Sequence, residues 1–173
     1  DSGWASGPAP FGFVDGPYGT DLSLLDPPMR GNYTWLYLRR ELQIPDASKV
    51  RSLEASVSYD DGLVAWINGV EVLRVNVRGS PGDPVPFNGR AGGEHESGAF
   101  EVVDLPDPTR YLGDGVNLIA IQVLNSTLTS GDLSLDVEIL DPEGPDRTPP
   151  AIALAAPAPG STVRDLERAE VTF

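Results

Sequence analysis

The sequence contains no cysteine and a single histidine, His95. Without cysteine there are no disulfides, no thiolate nucleophile and no cysteine-based zinc site. An oxidising compartment stays open, because secreted bacterial domains can fold without disulfides. Basic residues are scarce as well: 12 Lys and Arg against 26 Asp and Glu give a net charge of -14. Phosphate recognition needs clustered cations, so nucleic acid is excluded as a partner. No apolar run approaches the roughly 18 residues that span a bilayer, so no membrane insertion is expected. The opening residues do not read as a signal peptide, and Asp1 reads as an internal starting point. Gly-x-Ser-x-Gly, His-Glu-x-x-His and Gly-Lys-Ser/Thr signatures are all missing.

The chain holds 40% hydrophobic residues, 19 glycines and 17 prolines. That is enough apolar material for a core, and the scattered Gly and Pro suit an all-β domain with many turns. The acidity has two readings: solubility of a secreted or salt-tolerant protein, or carboxylates clustered around calcium.

The most informative stretch runs from Ser52 to Val75. Leu53, Ala55, Val57 and Tyr59 alternate with Glu54, Ser56 and Ser58 at the two-residue period of a half-buried strand. Asp60-Asp61-Gly62 reads as a turn. Leu63 to Ile67 is a continuous apolar run, as in a strand buried on both sides or deep in a sandwich. Asn68-Gly69 is a strong hairpin signal, since both residues accept positive φ, and Val70, Val72 and Val75 carry the return strand.

Other strands follow by the same rule. Over Asn32 to Ile44, Thr34, Leu36, Leu38, Arg40 and Leu42 share the face expected to look inward, with Arg40 the exception. Tyr33, Trp35, Tyr37, Arg39 and Glu41 share the other face. Pro45 to Lys49 is a turn, with one helical turn capped by Asp46 or Ser48. Phe100, Val102 and Leu105 mark a further strand, and Asp114-Gly115 a second hairpin-type signal. Val116 to Leu124, the most apolar strand, is expected at the centre of a sheet. Leu133, Leu135, Val137 and Ile139 give the last strand one dry face.

Residues 1–32 are rich in Gly, Pro and aromatics, which forbids a lasting helix. Trp4, Phe11 and Phe13 read as a lid over a sheet or as a sugar-stacking platform. Trp35 and Tyr37 pose the same choice: a carbohydrate platform, or rings covered by a neighbouring loop such as the N-terminal segment. The long polar loop from Asn76 to Gly98 offers Asn88, Arg90, Glu94, His95 and Glu96. His95 lacks an evident orienting partner and reads as a surface-loop residue. Asp60 and Asp61 are the first metal candidates, offering hard oxygens to Ca²⁺, or else one of them caps the turn and the other is solvated. Asp132, Asp136 and the Asp15–Asp21 loop rank behind them. Asn32 and Asn125 open N-glycosylation patterns, which carry little weight alone.

Four segments in order carry a resemblance over residues 30–140: Leu36-x-Leu-Arg-Arg-x-Leu42, Tyr59-Asp-Asp-Gly-x-Val-Ala-Trp-Ile-Asn-Gly-Val-Glu-Val72, Gly115-Val-Asn-Leu-Ile-Ala-Ile-Gln-Val123 and Ser130-Gly-Asp-Leu-Ser-Leu-Asp-Val-Glu138. Together they resemble the galactose-binding-like (jelly-roll) modules of large secreted multidomain bacterial proteins. Such modules occur beside CotH-like kinase, lamin-tail, metallophosphoesterase or glycoside hydrolase domains. Locally, Asp60-Asp61-Gly62 with Asn68-Gly69 also resembles the protective-antigen-type β-barrel, which implies a metal role for the two aspartates. The tail from Thr148-Pro-Pro to Gly160-Ser-Thr-Val163 resembles the opening of a bacterial immunoglobulin-like domain.

The expected organisation is therefore an antiparallel β-sandwich of jelly-roll, galactose-binding-like type over residues 1–141, with 1–32 as a covering segment. A linker follows over 142–150, and the start of an Ig-like domain over 151–173. The expected function is a non-catalytic, extracellular or cell-surface binding module for polysaccharide or glycan, stabilised by Ca²⁺. Trp35, Tyr37, Asn88, Arg90 and His95 would bind ligand, Asp60 and Asp61 metal. Two rivals stand beside it: a structural spacer or docking domain for neighbours in the same chain, and a hydrolase with no local motif.

Overall fold

The computed structural model describes residues 4–14 and 16–143. Of the expected linker only residues 142 and 143 fall within that range, and the Ig-like start at 151–173 lies outside the described residues.

Among the described residues nine strands form two sheets. They are β1 (Phe11–Phe13), β2 (Thr20–Asp21), β3 (Trp35–Ile44), β4 (Leu53–Asp60), β5 (Gly62–Ile67), β6 (Val70–Val75), β7 (Glu101–Leu105), β8 (Gly115–Leu124) and β9 (Leu133–Leu140). The five-stranded sheet has the order β2-β1-β9-β4-β7, the four-stranded sheet β3-β8-β5-β6. Neighbours are antiparallel except for the short parallel β1–β2 pair. This is the β-sandwich expected from the alternating strands.

The inner faces meet in one apolar core. Leu53, Ala55, Val57 and Tyr59 of β4 and Leu133 and Leu135 of β9 face Leu63, Ala65 and Ile67 of β5 and Ile119, Ile121 and Val123 of β8. Leu42 and Ile44 close the β3 end, where Leu36 and Leu38 are half-buried. The Asn68-Gly69 hairpin forms as its residues demand, at φ of 52° and 82°. β8 lies between β3 and β5, so the most apolar strand is central. Asp46 caps the helical turn at Ala47–Lys49 by accepting from the Ser48 N–H at 3.1 Å.

Four expectations are corrected. The turn expected at Asp60-Asp61-Gly62 does not join paired strands: β4 and β5 lie in different sheets, so the chain crosses there from one layer to the other. A Cβ on Gly62 would stand 2.8 Å from the Asn76 carbonyl, so that crossing requires glycine. Asp114-Gly115 is likewise not a hairpin, because β7 pairs with β4 and β8 with β3 and β5. On β7 the phase is shifted by one residue: Val103 and Leu105 pack inward, whereas Val102 is 61% exposed. Residues 4–32 are more than a cover, since Phe11 and Phe13 form β1 and are buried in the core.

The loop from 76 to 98 lies against the outer side of the four-stranded sheet. It buries Val64 and Leu124, which belong to no part of the central core, along with Gln122, whose Nε2 donates to the Pro86 carbonyl at 3.0 Å. Its other tethers are Thr34 Oγ1 to the Gly89 carbonyl, the Ala91 N–H to the Asn125 carbonyl, and Asn76 Nδ2 to the carbonyls of Asp61 and Gly93.

Candidate functional site

The pleat of the four-stranded sheet sorts its residues. With Leu36, Leu38 and Leu42 inward, Trp35, Tyr37, Arg39 and Glu41 stand on the outer face of β3. The register places them beside Leu124, Gln122, Ala120 and Leu118 of β8. Val64 and Trp66 of β5 continue two of these rows, opposite Gln122 and Ala120. One row therefore reads Arg39, Ala120, Trp66 across three strands, and the small Ala120 leaves a shallow floor between two large side chains.

Aromatic rings gather at one edge of this face. The Trp35 centroid lies 5.5 Å from both Tyr33 and Tyr37, at tilted angles, and 6.2 Å from Phe87, which meets it edge-on. These are the separations at which aromatic pairs attract. Burial pushes the Tyr33 and Tyr37 phenols above their ordinary value. The Tyr37 hydroxyl donates to the Phe87 carbonyl at 3.3 Å, so the loop brings Phe87 to the strand. Trp4 lies over Arg39, its ring centroid 4.3 Å from the guanidinium carbon, a cation–π contact. The 76–98 loop thus meets this pair, with the Phe87 ring on Trp35 and the Phe87 carbonyl on the Tyr37 hydroxyl, while Trp4 to Gly7 border a cavity that Tyr37 also lines.

The outer face of the other sheet is different in kind. There Glu54 and Asp104 stand opposite one another, with Asp136 and Glu138 on β9 beside Ser58 and Ser56. One outer surface is aromatic, the other acidic.

The expected site residues divide into two groups. Asn88 and Arg90 are exposed and flank Gly89, whose carbonyl accepts from Thr34, the residue next to Trp35. They belong to the Trp35–Tyr37 end. His95 does not: it stacks on Tyr59 with centroids 4.1 Å apart and planes 2° off parallel. Its Nδ1 lies 3.1 Å from the Tyr59 carbonyl, and its Nε2 3.2 Å from Glu101 Oε1. Its surroundings are those of a residue that fastens the loop to β4. Desolvation, then the Glu101 charge, raises the Tyr59 phenol.

Asp60 and Asp61 also part company. Both are 3% exposed. Asp61 spends its carboxylate on two backbone donors, the His95 N–H at 2.7 Å on Oδ1 and the Ser126 N–H at 2.7 Å on Oδ2. It binds together two loops distant in sequence. Those loops carry Glu96 and Asp132, whose carboxylate oxygens lie with one of Asp60 within 4.8 Å of one another. Asn125 Nδ2 donates to the Asp132 carbonyl at 2.8 Å, while its Oδ1 is buried with no hydrogen-bond partner among the described residues. Carboxylate oxygens are the hard donors that Ca²⁺ prefers.

Sequence reasoning missed Trp66 and Phe87 at the aromatic face, and gave Glu96 no metal role. The alternation of Leu63, Ala65 and Ile67 against Val64 and Trp66 was the available signal for Trp66. Nothing local announces that Glu96 and Asp132 converge on Asp60, because tertiary tethers bring them there.

No family model matches the chain, and no curated protein matches it. Among solved structures it is similar to the Streptomyces avermitilis alpha-L-rhamnosidase complexed with L-rhamnose, at 15% identity and a TM-score of 0.43. That alignment covers 79% of this chain and 10% of the rhamnosidase, so the chain spans about a tenth of that protein's length.

Proposed function

We propose that the chain is a non-catalytic carbohydrate-binding module that takes a polysaccharide on the outer face of its four-stranded sheet. The observation that carries this reading is the succession of rings Tyr33, Trp35, Tyr37 and Phe87 on one surface, with Trp66 and the Trp4–Arg39 pair further along it. Sugar rings present C–H faces that pack on aromatic π-faces, and hydroxyl edges that need donors and acceptors. Arg39 and Glu41 supply both on the same strand, and exposed Asn88 and Arg90 border the rings. The contrast with the carboxylate-studded opposite sheet gives the molecule one adhesive side. In the same proposal Ca²⁺ sits between Asp60, Glu96 and Asp132, holding the 76–98 loop against the sandwich, and Asp61 positions the two loops. In this reading the module works outside the cell, beside other domains of a longer chain, as the resemblance to modules of secreted bacterial proteins suggests.

Affinity electrophoresis through a panel of soluble polysaccharides tests the reading. At least one polysaccharide should retard the wild-type chain, and Trp35→Ala or Tyr37→Ala should each weaken that retention by about 1–3 kcal/mol, the range of an interface anchor. Unretarded migration through every polysaccharide, or retention untouched by both substitutions, would sink it. A docking spacer is favoured instead if a neighbouring domain covers Val116 and Leu118, which are 49% and 42% exposed on the same outer face.

A further inference from the structure

Arg40 sits where the pleat of β3 calls for an apolar residue. Leu36, Leu38, Leu42 and Ile44 share its face, and its register partner Ile119 belongs to the core. Its side chain borders a cavity of about 100 Å³ between the sheets, walled by Phe11, Leu38, Ile119, Ile121, Val137 and Ile139. Trp4 to Gly7 form the rim, at the side where β3 is the edge strand. Nη1 of Arg40 is shielded from solvent and has no hydrogen-bond partner among the described residues. Among the described residues no carboxylate lines the cavity. Asp136 and Glu138, the nearest acids along β9, stand on the opposite face from Val137 and Ile139. Burial accordingly pulls the guanidinium pKa below its ordinary value.

A cation at the wall of an apolar cavity is costly unless an anion meets it. We infer that this cavity is a binding site for a small monocarboxylic acid with an apolar body, its carboxylate on Arg40 and its hydrocarbon part among Ile119, Ile121, Val137 and Ile139. A guanidinium offers a carboxylate two parallel N–H donors, which suits one buried head group. The volume bounds the body's size: cavities of roughly 150 Å³ admit benzene, so this one encloses about four carbons and a longer body reaches into its mouth. The cavity runs in between the sheets from the β3 edge, where Tyr37, Arg39 and Trp4 also line it, but the inference is carried by Arg40 and the apolar wall and does not depend on the glycan reading.

The experiment is an amide NMR titration of the whole chain at constant ionic strength, with sodium benzoate, sodium butyrate, benzyl alcohol and sodium acetate as separate probes. Benzoate or butyrate should give saturable shifts centred on Leu38, Arg40, Ile119, Ile121, Val137 and Ile139. Benzyl alcohol, which keeps the ring without the charge, and acetate, which keeps the charge without the body, should each bind at least about tenfold more weakly. Arg40→Met should abolish saturation by the carboxylates while leaving the melting temperature equal or higher, because an unpaired cation has been removed. Val137→Phe, which fills the cavity from the facing sheet, should abolish it too and serves if Arg40→Met fails to fold. Absence of saturation up to about 20 mM for both carboxylates would overturn the inference. Equal binding of benzyl alcohol, or benzoate binding unchanged in either variant, would do the same.

Discussion

Single side chains fix the junctions between the layers, and two of them make predictions. Tyr111 is buried, and its hydroxyl donates to the Leu105 carbonyl at 2.9 Å. Burial, aided by the Asp107 charge, pushes its phenol up to about 12. A raised folded pKa means that the phenol's contribution is whole below the unfolded value near 10 and is lost as pH rises from there toward about 12. Denaturant melts taken at rising pH should therefore show stability falling above pH 10 in the wild type. Tyr111→Phe should lose about 1 kcal/mol at neutral pH, the worth of one hydrogen bond, and should show a shallower alkaline decline. Equal alkaline slopes for both proteins would place the sensitivity elsewhere. Asp61 is the second case. Removing its carboxylate strands two backbone donors, His95 N–H and Ser126 N–H, so Asp61→Ala should cost about 2–4 kcal/mol in a urea melt. Asp61→Asn keeps one acceptor oxygen, and the loss should be smaller.

Among the elements, the 76–98 loop is fastened at its start by a buried ion pair. Arg74 and Glu71 meet at 2.7 Å with side chains 5% and 8% exposed, in bidentate geometry. Arg74 also donates to the carbonyls of Arg78 and Asp83, and Glu71 Oε2 accepts the Gly82 N–H at 3.0 Å. The pair therefore anchors the start of the loop to β6. Breaking such a pair leaves an uncompensated charge, so Arg74→Met should cost about 3–5 kcal/mol, and proteolysis should cut first near Gly79–Gly82. The hydrogen bond from Arg74, chiefly, holds the Glu71 carboxyl below its ordinary 4.5. A depressed folded pKa means the stabilisation is present above about 4.5 and fades as pH falls below it. Acid should thus loosen the loop ahead of the sandwich, seen as early amide exchange across 78–83. Unchanged exchange at pH 4 would reject this order. The strands themselves were readable because the two-residue period is local: β4, β8 and β9 and the Asn68-Gly69 turn followed from alternation and turn chemistry. The layer change at Asp61 was not, since a sheet crossing and a hairpin turn draw on the same Asp and Gly residues. Val102 was assigned to the wrong face because Phe100 suggested the phase, and Phe100 lies just outside β7. At the sites, Trp35 and Tyr37 were visible as an outward pair, while Phe87, Trp66 and Glu96 owe their places to loop tethers and strand pairing that no local window contains.

For the molecule as a whole, two groups of acids differ in how closely they are set. Of the 26 acidic residues, Glu54, Asp104, Asp136 and Glu138 decorate the outer five-stranded sheet, and a further three, Asp60, Glu96 and Asp132, converge to within 4.8 Å. Convergence at that range is repulsive unless a cation intervenes, whereas the dispersed set is screened by salt over about 8–10 Å. The two groups should therefore respond differently to ions. Sodium chloride should change the melting temperature smoothly and slightly. Calcium should raise it saturably at constant ionic strength, by mass action on the folded state, with EDTA reversing the shift. Magnesium, which demands a tighter octahedron and sheds water reluctantly, should do less. Asp132→Asn should weaken the calcium response while leaving the response to sodium chloride as it was. Since Glu96 belongs to the loop that bears Phe87, calcium should also slow amide exchange across 85–96 and strengthen retention by any bound polysaccharide. A calcium response undiminished in Asp132→Asn would assign the ion to another part of the surface, and none at all would leave Asp61 and the Arg74–Glu71 pair as what holds the loop down.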